Sequence, residues 1–408
     1  MGQDNKTYNT YDITLLLILA SLAFGGLGGY LHLSRVLAVL LLPWFIPKFK
    51  ECGDFIHPFV NCFIAFLVFC AISLIWTPDI VEGFKELVYY FVHFLLFLEI
   101  LVFSRFANNP LKSIAFGWVL TVGLTLVVAL WEITTDNHLG VSRIQDDLYF
   151  NTGDVVIQRH FAAVTFANFN GYTAFLCFAL PFLFYLLFDK NATKYKILVI
   201  VEIALAIMCM FYNASRGGFI SLIIMFSLII LMTGKSMFRF LILASFVFIA
   251  LYYYSFYSED LEMLQAIEAR ASGDRILEAG ERAVIWNYGW DIMGDTFGLG
   301  LGIGGMSAGM GFYKSGVTAI HNMFFEVLFQ YGIVFFAVFI IYLINLFVKA
   351  VRSDNRPVKT LLFLALIPMP VYSIINSGYL WFPFVFAAFA SLTVFANYER
   401  IGLVCEDV

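Results

Sequence analysis

Charged residues are scarce in this sequence. Asp, Glu, Lys and Arg make up 13% of the 408 residues, whereas hydrophobic residues make up 61% and include 47 phenylalanines. A soluble domain carries about 25% charged residues. The composition therefore excludes an ordinary soluble enzyme and indicates a protein that is largely embedded in a membrane.

Cysteine and the usual metal-binding motifs are equally sparse. The 6 cysteines have no zinc spacing and form no disulfide framework in the outer loops. No outer loop contains an Asp-x-Asp pair, no His-Glu-x-x-His motif occurs, and Gly234-Lys235-Ser236 lacks the upstream glycine of a Walker A motif. We therefore expect no metal and no cofactor, and no metal-dependent sugar-nucleotide transferase, metalloprotease or P-loop enzyme.

Apolar runs long enough to cross a bilayer recur along the whole chain. They predict an all-α polytopic membrane protein with about twelve transmembrane helices. The expected spans are residues 13–30, 31–47, 55–76, 87–104, 113–131, 167–188, 197–212, 218–233, 238–257, 321–348, 360–376 and 381–397.

The distribution of lysine and arginine predicts the orientation. The short loops 189–196 and 349–359 are the most basic, so we expect them, and both termini, to be cytoplasmic. The polar segments 133–166 and 258–320 then lie on the outer side. The chain divides into N-terminal helices with the first outer loop (1–166), central helices (167–257), a large outer loop domain (258–320) and C-terminal helices (321–408).

An arginine stands in a tight turn between two spans. Ser215-Arg216-Gly217-Gly218 joins spans seven and eight on the expected outer side, where glycines let a backbone approach a ligand closely. A guanidinium group binds phosphate oxygens with two parallel hydrogen bonds. The alternative is an interfacial arginine that extends to lipid headgroups.

A histidine opens a later span. His321 and Asn322 precede a long apolar run, and an imidazole can take a proton from a sugar hydroxyl near neutral pH. Asn322 and Glu326 are four residues apart and share a helix face. Taken alone, a histidine that only caps a helix end explains the position better.

The longest outer loop carries a third basic residue and a glycine run. Arg282 lies in the amphipathic stretch Glu281–Trp286, which could rest on the membrane. The run Gly298-Leu299-Gly300-Leu301-Gly302-Ile303-Gly304-Gly305 could bind an anion with its amides or form a flexible or re-entrant turn. Asp291 and Asp295, one helical turn apart, could hold a metal, but a solvated helix face is the simpler interpretation.

Several ionisable residues fall inside expected spans. His93 and Glu99 lie in span four and Glu202 lies in span seven. Intramembrane ionisable residues are functional hypotheses by default, and these three could relay protons in a transporter. They could equally be neutral packing residues.

Together these motifs resemble the O-antigen ligase and polymerase superfamily of bacterial membrane glycosyltransferases. The resemblance runs from residue 159 to 335. Its pieces are Arg159–Asn170, Ser215–Gly218, Glu281–Gly305 and Ala319–Gly332. The first piece departs from the family pattern, because Phe169 stands where a proline is usual.

The resemblance implies a GT-C-like glycosyltransferase of the inner membrane, with its active site facing the periplasm. The donor would be a glycan on undecaprenyl diphosphate. Arg216, Arg282 and Arg159 would bind the diphosphate, His321 would be the catalytic base, and Asn322 and Glu326 would support it. No metal and no nucleic acid would take part.

Three functions follow from these observations. The first is a surface polysaccharide polymerase, in which the acceptor is another lipid-linked repeat unit. The second is an O-antigen ligase, in which the acceptor is lipid A–core. The third is a flippase or other transporter of lipid-linked glycans, and the absence of an internal repeat weighs against it.

Overall fold

The fold is a bundle of apolar helices, seen here in a computed structural model that describes residues 7–25, 32–141, 149–151, 156–158, 160–233, 276–312 and 319–399. In the first half of the chain the helices are α1 (Thr10–Ala20), α2 (Leu33–Glu51), α3 (His57–Ser73), α4 (Ile80–Phe106), α5 (Pro110–Thr135), α6 (Phe169–Phe188), α7 (Lys196–Tyr212) and α8 (Arg216–Thr233). In the second half they are α9 (Ile276–Asp295), α10 (Gly305–Phe312), α11 (Met323–Arg352), α12 (Arg356–Leu366), α13 (Met369–Tyr372) and α14 (Pro383–Ala396). Short 3-10 turns cover Ser21–Phe24, Gly53–Phe55, Lys190–Tyr195 and Tyr379–Trp381.

Several helices are long and apolar enough to cross a membrane. Within the described residues five qualify by length and composition, namely α4, α5, α6, the helix that ends at Tyr212 and α11, and four shorter apolar helices accompany them. The chain is therefore a multi-pass membrane protein. The count of about twelve spans stays a prediction, because the expected span 238–257 lies outside the described residues.

The helices confirm the predicted all-α class, but two regions of the described chain are not continuous helix. β1 (Tyr149–Asn151) and β2 (Val156–Gln158) form a short antiparallel hairpin in the loop 133–166. Val156 and Ile157 are β-branched, which favours a strand. The expected span 360–376 is not continuous either: it divides into α12 and α13 beside Pro368 and Pro370.

Large aromatic side chains and a few buried polar groups hold the bundle together. Trp118 of α5 stacks on Phe182 of α6 with ring centroids 5.1 Å apart, and its indole N–H donates to Ser391 Oγ of α14 at 3.1 Å. Buried Asp12 of α1 accepts from Asn109 N at 2.9 Å and Ser113 Oγ at 2.7 Å. These contacts fix α1, α5, α6 and α14 relative to one another.

Helix α11 is interrupted at Gly332, and the glycine run forms backbone hydrogen bonds with the residues around this interruption. Gly332 has φ 77° and ψ 178°, which are not helical angles. Ile333 N donates to Gly298 O at 2.9 Å, while Leu301 N donates to Phe329 O and Gly302 N to Gln330 O, both at 2.9 Å. A backbone break inside an apolar span is tolerated where protein groups satisfy the freed N–H and C=O groups. The glycine run therefore completes the hydrogen bonding of α11.

The glycine run also packs directly on α4. A Cβ atom on Gly304, whose φ is +70°, would stand 2.1 Å from Gly83 N. Gly304 N donates at 2.7 Å to the buried carboxylate of Glu86, which also accepts from Gln330 Nε2 at 2.6 Å and from Trp381 Nε1 at 2.7 Å. Glu86 thus joins the glycine run, α4, α11 and the turn before α14.

Candidate functional site

Three helices begin close together at one end of the bundle. Asn168 caps α6 by accepting from Gly171 N at 2.7 Å, and Asn322 caps α11 by accepting from Phe324 N at 2.9 Å. Before α8, Ser215 Oγ accepts from Gly218 N at 3.4 Å. A helix N-terminus carries a partial positive charge and unsatisfied N–H groups. This end of the bundle is therefore suited to a negatively charged ligand.

Asn213 holds the turn before Arg216 against the segment that leads into α6. Its Oδ1 accepts from Ala162 N at 2.8 Å, and its Nδ2 donates to Ala162 O at 3.0 Å, to Phe169 O at 3.2 Å and to Thr173 Oγ1 at 3.1 Å. Asn213 is completely buried. The end of α7 and the start of α6 are therefore fixed to each other three residues before Arg216.

The segment 371–376 joins the Arg216 turn to the His321 region. Met323 N, at the start of α11, donates to Ser373 O at 3.1 Å. On the other side, a Cβ atom on Gly217 would stand 2.7 Å from Ile375 Cγ1 and 3.7 Å from Val371 O. Arg216 and His321, which are far apart in sequence, therefore flank one short segment of backbone.

Helix α9 attaches to the same region. Trp286 Nε1 donates to Ile320 O at 3.0 Å, immediately before His321, and the Trp286 ring meets Phe325 edge to face at 5.1 Å. Arg282 lies one helical turn before Trp286 in α9. The amphipathic stretch Glu281–Trp286 is thus bound beside the predicted base.

Arg159, the third predicted diphosphate ligand, lies outside the described residues. The chain is described again from His160, and Ala162 is bound to Asn213. The backbone three residues after Arg159 therefore lies at the Arg216 turn.

Arg216 is exposed and is the first residue of α8. The guanidinium group adds its charge to the partial positive charge of the helix N-terminus. An anion bound there would be stabilised by the guanidinium group and by the helix N-terminus together. The two following glycines serve protein packing rather than ligand approach, because Cβ atoms on them would meet Ile375 and Thr173 at 2.7 and 2.8 Å. The arginine side chain, not the glycine backbone, is the group that this turn presents.

Left-handed backbone conformations occur repeatedly at this end of the bundle. His321 has φ 50°, Ala214 has φ 46°, Ala167 has φ 59° and Val164 has φ 55°. Such angles are uncommon for residues other than glycine and are a genuine outlier for a β-branched residue. Strain of this kind persists only where surrounding contacts fix it, and it concentrates at functional sites.

The two predicted supporting residues have defined structural partners. Asn322 caps α11, which is the role that the simpler interpretation gave to His321. Glu326 is buried, and its two oxygens accept from Gly378 N at 2.5 Å and from Tyr379 N at 3.0 Å. Glu326 therefore fastens the turn after segment 371–376 to the first turns of α11.

The amides of the glycine run are already used inside the protein. Gly300 N donates to Thr296 Oγ1 at 3.1 Å, Ile303 N to Ser73 Oγ at 3.0 Å and Gly304 N to Glu86 at 2.7 Å. Leu301 and Gly302 donate to the broken part of α11. These contacts do not fit an anion-binding nest. They fit a turn, but one that is packed against the protein and not a flexible one.

The ionisable residues of the transporter hypothesis do not form a chain. His93 Nε2 accepts from Arg35 Nε at 3.0 Å. Among the described residues no hydrogen bond reaches either oxygen of Glu99, and Glu202 Oε1 lies next to Gly123. In the same part of the chain no group of three or more His, Cys, Asp and Glu side chains could hold a metal ion.

Asn213, Glu86 and Glu132 were not among the site residues predicted from the sequence. Asn213 lies two residues before the Ser-Arg-Gly-Gly turn, so its position was a usable signal. Glu86 and Glu132 are buried acidic residues, and each lies one residue outside an expected span, 87–104 and 113–131 respectively. The rule that flagged His93, Glu99 and Glu202 inside expected spans therefore did not reach them.

The apolar helices define a multi-pass membrane protein, and the candidate site lies at the end of the bundle where the polar motifs gather. A family model described as O-antigen ligase matches residues 201–340, which include Arg216, Arg282, His321 and Glu326. The chain is also similar to the teichuronic acid biosynthesis protein TuaE of Bacillus subtilis (strain 168), with 23% identity over 348 residues, 80% of this chain and 69% of that protein. These comparisons confirm the resemblance to the O-antigen ligase and polymerase superfamily, and they support a ligase- or polymerase-type role in surface polysaccharide biosynthesis.

Proposed function

We propose that this protein is a metal-independent glycosyltransferase that moves a glycan from undecaprenyl diphosphate to an acceptor hydroxyl at the outer face of the inner membrane. The observation that carries the proposal is the common segment 371–376. It contacts the Arg216 turn on one side and bonds to the start of α11, next to His321, on the other. Glycan transfer from a lipid diphosphate requires a group that binds the diphosphate close to a base that activates the acceptor hydroxyl.

The proposed chemistry divides between the two motifs. Arg216, with Arg282 and Arg159, binds the diphosphate and stabilises the negative charge that develops as it leaves. His321 accepts the proton of the acceptor hydroxyl as that oxygen attacks the anomeric carbon. The bond from the anomeric carbon to the diphosphate oxygen breaks as the new glycosidic bond forms, so the configuration inverts.

We favour a polymerase, which joins one lipid-linked repeat unit to another, over a ligase that uses lipid A–core. The related protein from Bacillus subtilis is named for teichuronic acid biosynthesis, and that name does not refer to lipid A. Incubation of the purified protein with lipid-linked repeat units alone tests this choice. Longer glycans formed without another acceptor support the polymerase, whereas product that appears only after addition of lipid A–core supports the ligase. A transporter forms no product in detergent under either condition.

Substitution of Arg216 tests the phosphate site. Arg216→Ala should abolish most transfer and weaken donor binding, and Arg216→Lys should also be clearly impaired, because a lysine keeps the charge but loses the two parallel hydrogen bonds. Arg352→Lys, an arginine in the last turn of α11, is the matched control. Full activity of folded Arg216→Ala would remove this residue from the site.

Substitution of His321 tests the base. His321→Ala should lower turnover about a hundredfold or more while donor binding largely survives. Wild-type activity should fall on acidification, because a protonated imidazole cannot accept a proton. His57→Ala, at the start of α3, is the control. Unchanged turnover of intact His321→Ala protein would refute the catalytic role.

The outward orientation is tested independently of activity. Reporter fusions after residues 192 and 355 should read cytoplasmic, and a fusion within 258–280 should read external, as the lysine and arginine distribution predicts. The opposite pattern would place the Arg216 and His321 motifs on the cytoplasmic side.

A further inference from the structure

A buried carboxylate at the end of α5 organises the segment that leads into α6. Glu132 is completely buried. Its Oε2 accepts from Ala163 N and from Val164 N, each at 2.8 Å. Its Oε1 faces Leu139 N at 3.4 Å and His138 Nδ1 at 3.6 Å. Hydrogen bonds from backbone N–H groups to a carboxylate are among the stronger ones in proteins.

The segment that Glu132 binds is conformationally strained. Val164 is β-branched and has φ 55°, and Ala167 has φ 59°. Neither conformation is stable without contacts that impose it. The two hydrogen bonds to Glu132 are such contacts, because they fix the N–H groups of two successive residues on one oxygen.

The same segment is the surface on which the Arg216 turn rests. Ala162, next to the residues that Glu132 binds, forms a pair of hydrogen bonds with the Asn213 side chain. Asn213 is followed by Ala214, whose φ is 46°, and then by Ser215 and Arg216. Hydrogen bonds therefore connect Glu132 to segment 162–164 and that segment to Asn213, which precedes the first residue of α8 by three positions in the chain.

We infer that Glu132 is a positioning residue for Arg216: it fixes segment 162–164, which fixes Asn213 and so sets where the guanidinium group meets the diphosphate. Glu132 acts through other residues and touches no substrate. The inference rests on the proposed role of Arg216 in diphosphate binding. It predicts that loss of Glu132 acts through Arg216 alone and not as a general loss of structure.

The experiment is a double-mutant cycle on binding of undecaprenyl diphosphate to the full-length protein in detergent. Glu132→Met should weaken binding on the order of tenfold to a hundredfold, because a displaced guanidinium group would lose a hydrogen bond to the charged diphosphate and such bonds have effects of that size. Glu132→Gln keeps one oxygen for the two N–H groups, so it should recover part of this loss. Glu99→Met makes the same substitution at a buried carboxylate that accepts no hydrogen bond from the described residues, and it should bind normally.

The decisive comparison is made in the Arg216→Ala background. There, Glu132→Met should cause little further loss of binding, because the two substitutions remove the same interaction. Equal losses in both backgrounds would mean a general structural effect and would overturn the inference while leaving the proposed function intact. Normal binding by Glu132→Met would overturn it equally. If Glu132→Met does not fold, the same cycle with Glu132→Gln decides. If Arg216→Ala itself binds normally, the assignment of Arg216 fails and the inference fails with it.

Discussion

Replacement of Asn213 should lower the free energy of unfolding by more than the loss of one small side chain suggests. Its amide satisfies both the N–H and the C=O of Ala162 and also bonds to Phe169 O. Asn213→Ala would leave the two backbone groups of Ala162 buried without these partners. A buried polar group left unsatisfied costs about 1–3 kcal/mol, so the two together cost roughly 2–6 kcal/mol.

Asn213→Asp is the more specific test, because aspartate keeps the shape of the asparagine side chain and changes only its hydrogen bonding. One aspartate oxygen can still accept from Ala162 N. The other would stand where Nδ2 now lies, 3.0 Å from Ala162 O and 3.2 Å from Phe169 O, and would repel both carbonyl groups. We therefore expect Asn213→Asp to be no more stable than Asn213→Ala, although it is nearly isosteric with the wild type.

Thermal unfolding in detergent and glycan transfer from a lipid-linked donor are the two assays. Both Asn213 variants should unfold several degrees below the wild type and transfer poorly, because Arg216 follows three residues later. Asn137→Ala is the control, since that exposed side-chain amide donates to the neighbouring Thr135 O at 3.1 Å and is far from the Arg216 turn in sequence. Wild-type stability and transfer by Asn213→Asp would refute this account of the turn.

Two further substitutions test the contacts around the site. Gly304→Ala should reduce folded yield and transfer, because its Cβ atom would lie 2.1 Å from Gly83 N. Gly311→Ala is the control: its Cβ atom would meet no atom of the described residues within 4 Å, so it should resemble the wild type in a size-exclusion and activity comparison. Glu326→Gln should lower activity and thermal stability, because an amide cannot accept from both Gly378 N and Tyr379 N with its two terminal atoms, and unchanged values for both would show that this turn is held by other contacts.

The sequence predicted the helices well and their contacts poorly. The spans expected to begin at residues 167, 218 and 321 correspond to α6, α8 and α11, which begin at Phe169, Arg216 and Met323. Apolar runs of this length determine helices almost alone, because a backbone in lipid must satisfy its own hydrogen bonds. The region 360–376 departed from this pattern, since its prolines end one helix and begin another, and Gly332 interrupts the span that was expected to begin at residue 321.

The contacts that bring the Arg216 and His321 motifs together could not be predicted from the sequence. Nothing in the local sequence indicates that segment 371–376 lies between the Arg216 turn and the start of α11, because that contact depends on tertiary packing. The glycine run shows the same limit. Its composition allowed a nest or a turn, and only the contacts with Gly83, Glu86 and Gln330 distinguish them. The roles of the site residues remain predictions until they are tested.

The glycine run and the residues around Gly332 are joined by backbone hydrogen bonds, and these bonds constrain the order of folding during synthesis. Gly298, Leu301 and Gly302 emerge from the ribosome before Phe329, Gln330 and Ile333, which are their partners. The glycine run cannot complete its backbone pairing until α11 has entered the membrane. Residues 276–312 expressed alone would lack those partners, so we expect no autonomous folding unit there. Maturation of this end of the bundle therefore waits for insertion of a later helix.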